Sequence, residues 1–94
     1  MSKKLEKSYS WPANCPISVR GWSFLQRKYH LTPQELRLSI CICHGCNNEM
    51  ISRKLEIEIN TAKAHLANIY QKVGVNNKVM LLLIFIEDEQ KNLD

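Results

Sequence analysis

From Ile17 onward the apolar residues fall mostly in steps of three and four, the spacing of one helical face. The repeat is clearest between Ile59 and Val73, where Ile59, Ala62, Leu66, Ile69, Tyr70 and Val73 make a single stripe and predict a helix packed on a core. At 100° per residue the opposite face collects Asn60, Lys63, Ala64, Ala67, Asn68 and Gln71, small, amide and cationic side chains with no carboxylate. Glu58 stands at the N-cap position, Asn60 and Thr61 fall in the first turn, and Gly74 is placed to end the helix in a positive-φ conformation. Just upstream, Asn47 can cap a short helix from Asn48 to Leu55 with Met50, Ile51 and Leu55 inward. The two helices and their tight connection have the proportions of a helix-turn-helix.

Three more helices complete the expected architecture. Thr32-Pro33-Gln34-Glu35 combines an N-cap, a proline at the first helical position and a capping-box glutamate. That helix runs to about Cys43 with Leu38 and Ile42 inward and stops at Gly45. From Ile17 to His30, the residues Ile17, Val19, Trp22, Leu25 and Tyr29 predict an additional helix, interrupted by Gly21 at about 1 kcal/mol relative to alanine. A last helix is expected from Asn77 or Lys78 to Glu89. Leu81, Leu82 and Phe85 share its core face, while Val79, Met80, Leu83, Ile84 and Ile86 spread over the rest. A helix apolar on all sides should be covered on both, and the N-terminal helix can supply that cover, through Trp11 or Trp22 for example. The expected fold is all-α, a small bundle of four core helices plus the N-terminal one.

Composition bounds this picture. Ninety-four residues permit one domain with one small core. Residues 1–16, with charge, serine, two prolines and an isolated Trp11, read as a flexible leader, and residues 17–30 as the additional helix or a linker. The net charge of +4 is uneven, since Lys3, Lys4, Lys7, Arg20, Arg27 and Lys28 face a single Glu6 in the first 30 residues. The longest apolar run, Val79 to Ile86, is far shorter than the roughly 20 residues of a membrane span. Nothing marks secretion, so a cytoplasmic location with reduced thiols is expected for the four cysteines. Cys41, Cys43, His44 and Cys46 are the one cluster with a hint of metal chemistry. On a helix, however, Cys41 and Cys43 point about 200° apart, and no second ligand pair is evident, so they are expected to be small core residues. No metal, cofactor or catalytic site is expected, because there is no phosphate loop, no nucleophile with a base at a useful spacing and no carboxylate pair on one face.

The stretch from Leu31 to about Ile86 resembles the LuxR-type (GerE-like) helix-turn-helix domain of bacterial transcription regulators and can be laid on that pattern without a gap. The matching residues are Leu31-Thr32-Pro33, Glu35, Gly45, Asn48, Ile51, Leu55, Asn60-Thr61, Lys63, His65-Leu66, Asn68-Ile69-Tyr70, Lys72 and Gly74-Val75. It departs at Gln34, Arg37, Ser39, Met50 and Ala62, the last standing where valine is usual. The resemblance implies a DNA-binding domain over residues 31–90, double-stranded DNA as partner, and a dimer through the last helix, with Val79, Met80, Leu83, Ile84 and Ile86 as its interface. The helix at 59–73 would then enter the major groove. By position, Lys63, Ala64 and Ala67 face the groove floor, with Asn60, Thr61, Asn68, Gln71 and Lys72 at its flanks. His65, beside the core stripe, is expected to pack or to hydrogen-bond backbone. The competing expectation is a module of the same fold that contacts RNA polymerase or another regulator without reading DNA.

Overall fold

The computed structural model describes residues 17–93, and every regular element among them is a helix. These are α1 Val19–Tyr29, α2 Pro33–Cys43, α3 Asn48–Leu55, α4 Ile59–Val73 and α5 Lys78–Leu93. The expected leader, with Trp11 and Cys15, lies outside the described residues.

Side-chain caps start four of the five helices. Ser18 Oγ accepts from the Gly21 N–H at 3.0 Å, Asn47 Oδ1 from Met50 at 2.8 Å and Asn77 Oδ1 from Met80 at 2.9 Å. Thr32 and Glu35 form the reciprocal capping box, at 3.1 and 3.0 Å. Each such cap satisfies a backbone donor that the helix itself cannot. Glu58 is the exception, since it holds the N-cap position of α4 with extended backbone but makes no side-chain cap bond. Gly74, at φ 89°, ends α4 as its position implied.

The core is one cluster. Leu38 and Ile42 of α2, Ile51 of α3, Ala62, Leu66 and Ile69 of α4, and Leu81 and Phe85 of α5 are buried in it. Burying an aliphatic or aromatic side chain of this kind contributes roughly 1.5–3 kcal/mol. α4 packs on both α2 and α3, so the helix-turn-helix is backed by the rest of the bundle.

The additional helix packs on the outside of that bundle, against α5. Trp22 meets Phe85 edge to face with centroids 5.6 Å apart, a favourable arrangement of ring quadrupoles. At one end of α1, Ser18 Oγ donates to Glu89 Oε2 at 3.2 Å. At the other, Lys28 Nζ lies 3.0 Å from Asp88 Oδ2, and the Tyr29 hydroxyl donates to the same oxygen. Both ends of α1 thus meet one turn of α5, and the two helices cross. Gly21 sits at the crossing, where a Cβ would overlap Glu89 Cγ and come within 3.0 Å of Ile17 Cγ2. The residue that weakens α1 as a helix is the one that lets it approach α5.

Three residues expected to face inward do not. Val19, Met50 and Ile59 are 61%, 38% and 40% exposed, each in the first turn of its helix, where periodicity fixes the face but not how far the neighbours reach. α5 also continues past Glu89 to Leu93. Of the cysteines, Cys41 and Cys46 are buried and Cys43 is half-buried. Among the described residues no single helix is long and apolar enough to cross a membrane.

Candidate nucleic-acid interface

α4 carries the candidate face. Asn60, Thr61, Lys63, Ala64, Ala67, Asn68 and Gln71 are all exposed, while Ala62, Leu66 and Ile69 on the other side are buried. The sequence pattern therefore separated the two faces correctly except at Ile59, which adds an apolar side chain to the exposed first turn.

The α3–α4 turn is fastened by one pair of residues. The Ile57 N–H donates to the Ser52 carbonyl at 3.0 Å, and Ser52 Oγ donates to the Ile57 carbonyl at 2.7 Å. Half-buried Ile57 packs against the core between them. Glu56 ends α3 in the left-handed region at φ 56°, a conformation that favours glycine. Two hydrogen bonds and one apolar anchor thus set the angle at which α4 leaves α3.

The charges around the face are mixed. Lys63 projects from α4, and Arg53 and Lys54 are exposed in the last turn of α3. Glu56 and Glu58 are exposed on the turn between them. A polyanion is attracted to the cations and repelled by the turn.

Lys72 has partners inside the fold. Its ammonium lies 2.6 Å from Glu35 Oε1 and 3.0 Å from the His30 carbonyl, so two of its three donors are committed and one remains. The Glu35 side chain is only 4% exposed. Burial pushes the Glu35 carboxyl upward, but the Lys72 and Thr32 hydrogen bonds and the charges of Lys72 and His65 outweigh it and hold the group below the usual glutamate range. His65 is half-buried. The Lys72–Glu35 link spans 37 positions and left no local mark that would have revealed it.

On α5 the five-residue apolar surface narrows. Val79, Met80 and Leu83 are 66%, 44% and 56% exposed. Ile84 is half-buried, and Ile86 packs against the core cluster, so it belongs to the bundle more than to a free face. α1 covers another side of α5 through Trp22, which leaves Val79, Met80 and Leu83 in the open. Among the described residues no group of three or more His, Cys, Asp or Glu side chains could hold a metal ion.

The family of bacterial regulatory proteins known as the luxR family matches residues 29–85, well over half of the chain, and the chain belongs to this family. It is 36% identical over 56 residues to the probable transcriptional regulatory protein SgaR of Hyphomicrobium methylovorum, a match covering 60% of this chain and 26% of that protein. It is likewise 36% identical over 52 residues to the monoamine regulon transcriptional regulator of Klebsiella aerogenes, covering 55% and 23%. The matched stretch is thus about a quarter of each of these relatives. No solved structure matches the chain. The family match begins at the last residue of α1, so that helix is an addition to the shared domain.

Proposed function

We propose that this protein binds double-stranded DNA and regulates transcription, with α4 lying in the major groove. The observation that carries this reading is the exposed, carboxylate-free face of α4, set on a fastened turn and backed by a buried stripe. Lys63 donates to guanine O6 or N7, and the Ala64 and Ala67 methyls meet thymine methyls. Asn60, Thr61, Asn68 and Gln71 flank them and hold phosphates or neighbouring bases, and Lys72 adds its one remaining donor at the edge. With two alanines on the face, direct hydrogen bonds to bases are few, so symmetry and DNA shape supply part of the specificity.

The dimer is part of the same proposal. Val79, Met80 and Leu83 meet their counterparts in a second copy, with Ile84 at the rim and Ile86 supporting from the core side, and the pair reads two related half-sites. The working compartment is the bacterial cytoplasm. The exposed apolar trio also favours a second reading, in which α5 docks on RNA polymerase or another regulator and DNA is not read.

Sedimentation of the purified chain, with and without a duplex of about 30 base pairs at two salt concentrations, separates these readings. The expected result is a dimer that binds the duplex with a steep salt dependence, because cations at phosphates release counterions. In that assay Lys63→Ala costs about 1–3 kcal/mol of specific binding. A monomer with no binding at low salt would overturn the DNA reading and transfer the weight to the protein-docking one.

A further inference from the structure

The thiols of Cys41 and Cys46 are brought together by the way α2 ends. The Cys46 N–H donates to the Cys41 carbonyl at 3.1 Å, and the Gly45 N–H donates to Ile42 at 2.9 Å. Gly45, at φ 82°, makes this reversal possible. The chain folds back over the last turn of α2, and both cysteines are buried in the same core cluster. The two are neighbours, since Cys46 adds to what burial does to the Cys41 thiol. Cys43, two residues on from Cys41, is on another side of the helix and is half-buried.

We propose that Cys41 and Cys46 are a dithiol site that a low-molecular-weight disulfide oxidises to an intramolecular disulfide across the α2–α3 turn. The backbone reversal is of the kind a short disulfide requires, folding Cys46 back onto the last turn of α2 beside Cys41. The reaction balances as thiol–disulfide exchange. The Cys46 thiol gives up its proton, and its sulfur attacks one sulfur of the small disulfide, releasing the first small thiolate and leaving a mixed disulfide on Cys46. The Cys41 thiol then loses its proton, and its sulfur attacks the Cys46 sulfur and expels the second. Two protein thiols are oxidised by two electrons, one small disulfide becomes two small thiols, and the two protons leave with them.

The order of attack follows from the surroundings. Burial, with the neighbouring Cys46 adding to it, pushes the Cys41 thiol up to about 11, so its thiolate is scarce at neutral pH. It acts in the second step, where the backbone turn holds its target beside it. His44 and Gly45, between the two cysteines, are exposed, so local opening of this turn gives the oxidant access while α4 and α5 stay packed. Asn47, whose side chain caps α3, directly follows Cys46. Closing the disulfide draws Cys46 toward α2 and with it the start of the helix-turn-helix.

The test uses the full chain carrying Cys43→Ser, so that the tryptic peptide from Leu38 to Arg53 holds only the two thiols in question. After incubation with oxidised glutathione at neutral pH, remaining thiols are alkylated and the peptide is weighed. The expected product lacks two hydrogens, takes up no alkyl group and regains both thiols on treatment with dithiothreitol. Amide exchange of Asn48 to Ile51 should rise in the oxidised form. The unsubstituted chain should give the same link, and Cys46→Ala, which leaves Cys41 without a partner, should give none. A peptide that is fully alkylated after oxidant exposure overturns the proposal. So does one that retains glutathione on Cys46, or one linked to Cys15 or to a second chain.

Discussion

Lys72 of α4 and Glu35 of α2 form an ion pair of 2.6 Å that ties the C-terminal half of the candidate reading helix to the capping box of another helix. Glu35 thereby does two things at once. One oxygen accepts the Thr32 N–H that closes the box and receives the Lys72 ammonium as well. Removing Lys72 strands a buried carboxylate, which typically costs several kcal/mol, reduced here because the lysine side is a third exposed. Lys72→Met should therefore lower stability by about 2 kcal/mol, and Glu35→Gln, which keeps the capping geometry, by about 1 kcal/mol. Urea midpoints at unchanged m-value check both. Per folded molecule, Lys72→Met should weaken DNA binding less than Lys63→Ala.

Acid should act through two of the buried carboxylates, Glu35 and Asp88. Burial pushes Asp88 upward, but hydrogen bonds from Tyr29 and Lys28 and the charges of Lys28 and Lys91 outweigh it, so like Glu35 it lies below its ordinary value. A carboxyl lowered in the folded state stabilises fully above its unfolded pKa, and that contribution is lost as pH falls through the lowered one. The thermal midpoint should hold from about pH 7 to 5 and drop below about pH 4. Asp88→Asn should have a lower midpoint at pH 7 and a flatter fall toward pH 3. The Tyr29 phenol, raised by burial and by Asp88, remains a donor throughout this range.

The crossing of α1 and α5 makes a prediction opposite in sign to helix propensity. Alanine in place of Gly21 would favour α1 by about 1 kcal/mol in isolation. Its Cβ would collide with Glu89, which is itself held by Ser18, and overpacking of this kind costs about 1–3 kcal/mol. Gly21→Ala should destabilise the chain, and Glu89→Ala in the same chain should recover part of the loss. A double-mutant cycle of urea midpoints measures the coupling.

At the start of α4 the missing cap is open to repair. Glu58→Ser would supply an oxygen to a first-turn N–H at a gain of about 1 kcal/mol, offset in part by losing a carboxylate near the positive end of the helix dipole. The net expectation is a gain of about 0.5 kcal/mol in stability. Removing a carboxylate from the turn should also tighten binding of non-specific duplex at low salt. A cap gain with unchanged duplex binding would show that the turn points away from DNA.

The local signals were the legible ones. Thr32-Pro33-Glu35, Asn47, Asn77 and Gly74 mark helix ends through bonds made within three or four residues, and the structure has each boundary where those residues put it. The two faces of α4 followed from its period. Met50 and Ile59 came out exposed because a period says which way a side chain points, not whether another helix lies there. The links from Lys72 to Glu35, Lys28 to Asp88 and Glu89 to Gly21 were hidden for a different reason. Each joins residues tens of positions apart, and nothing in either local sequence changes when the partner is present. Near the end of α5, Asp88 and Glu89 are buried because the Ser18 cap and the Lys28 and Tyr29 side chains of α1 meet them.

Ala64 and Ala67 give the outer side of α4 the profile of a partly blank page. Both methyls stand exposed over a stripe that is already fully packed behind them, so a longer side chain at either position intrudes on nothing in the core. New lettering at these two positions, arginine for guanine or asparagine for adenine, should be accepted by the fold and, with α4 in the major groove as proposed, change which operators are recognised. A small combinatorial library there offers a route to orthogonal variants of this domain, each addressed to its own sequence while sharing one scaffold.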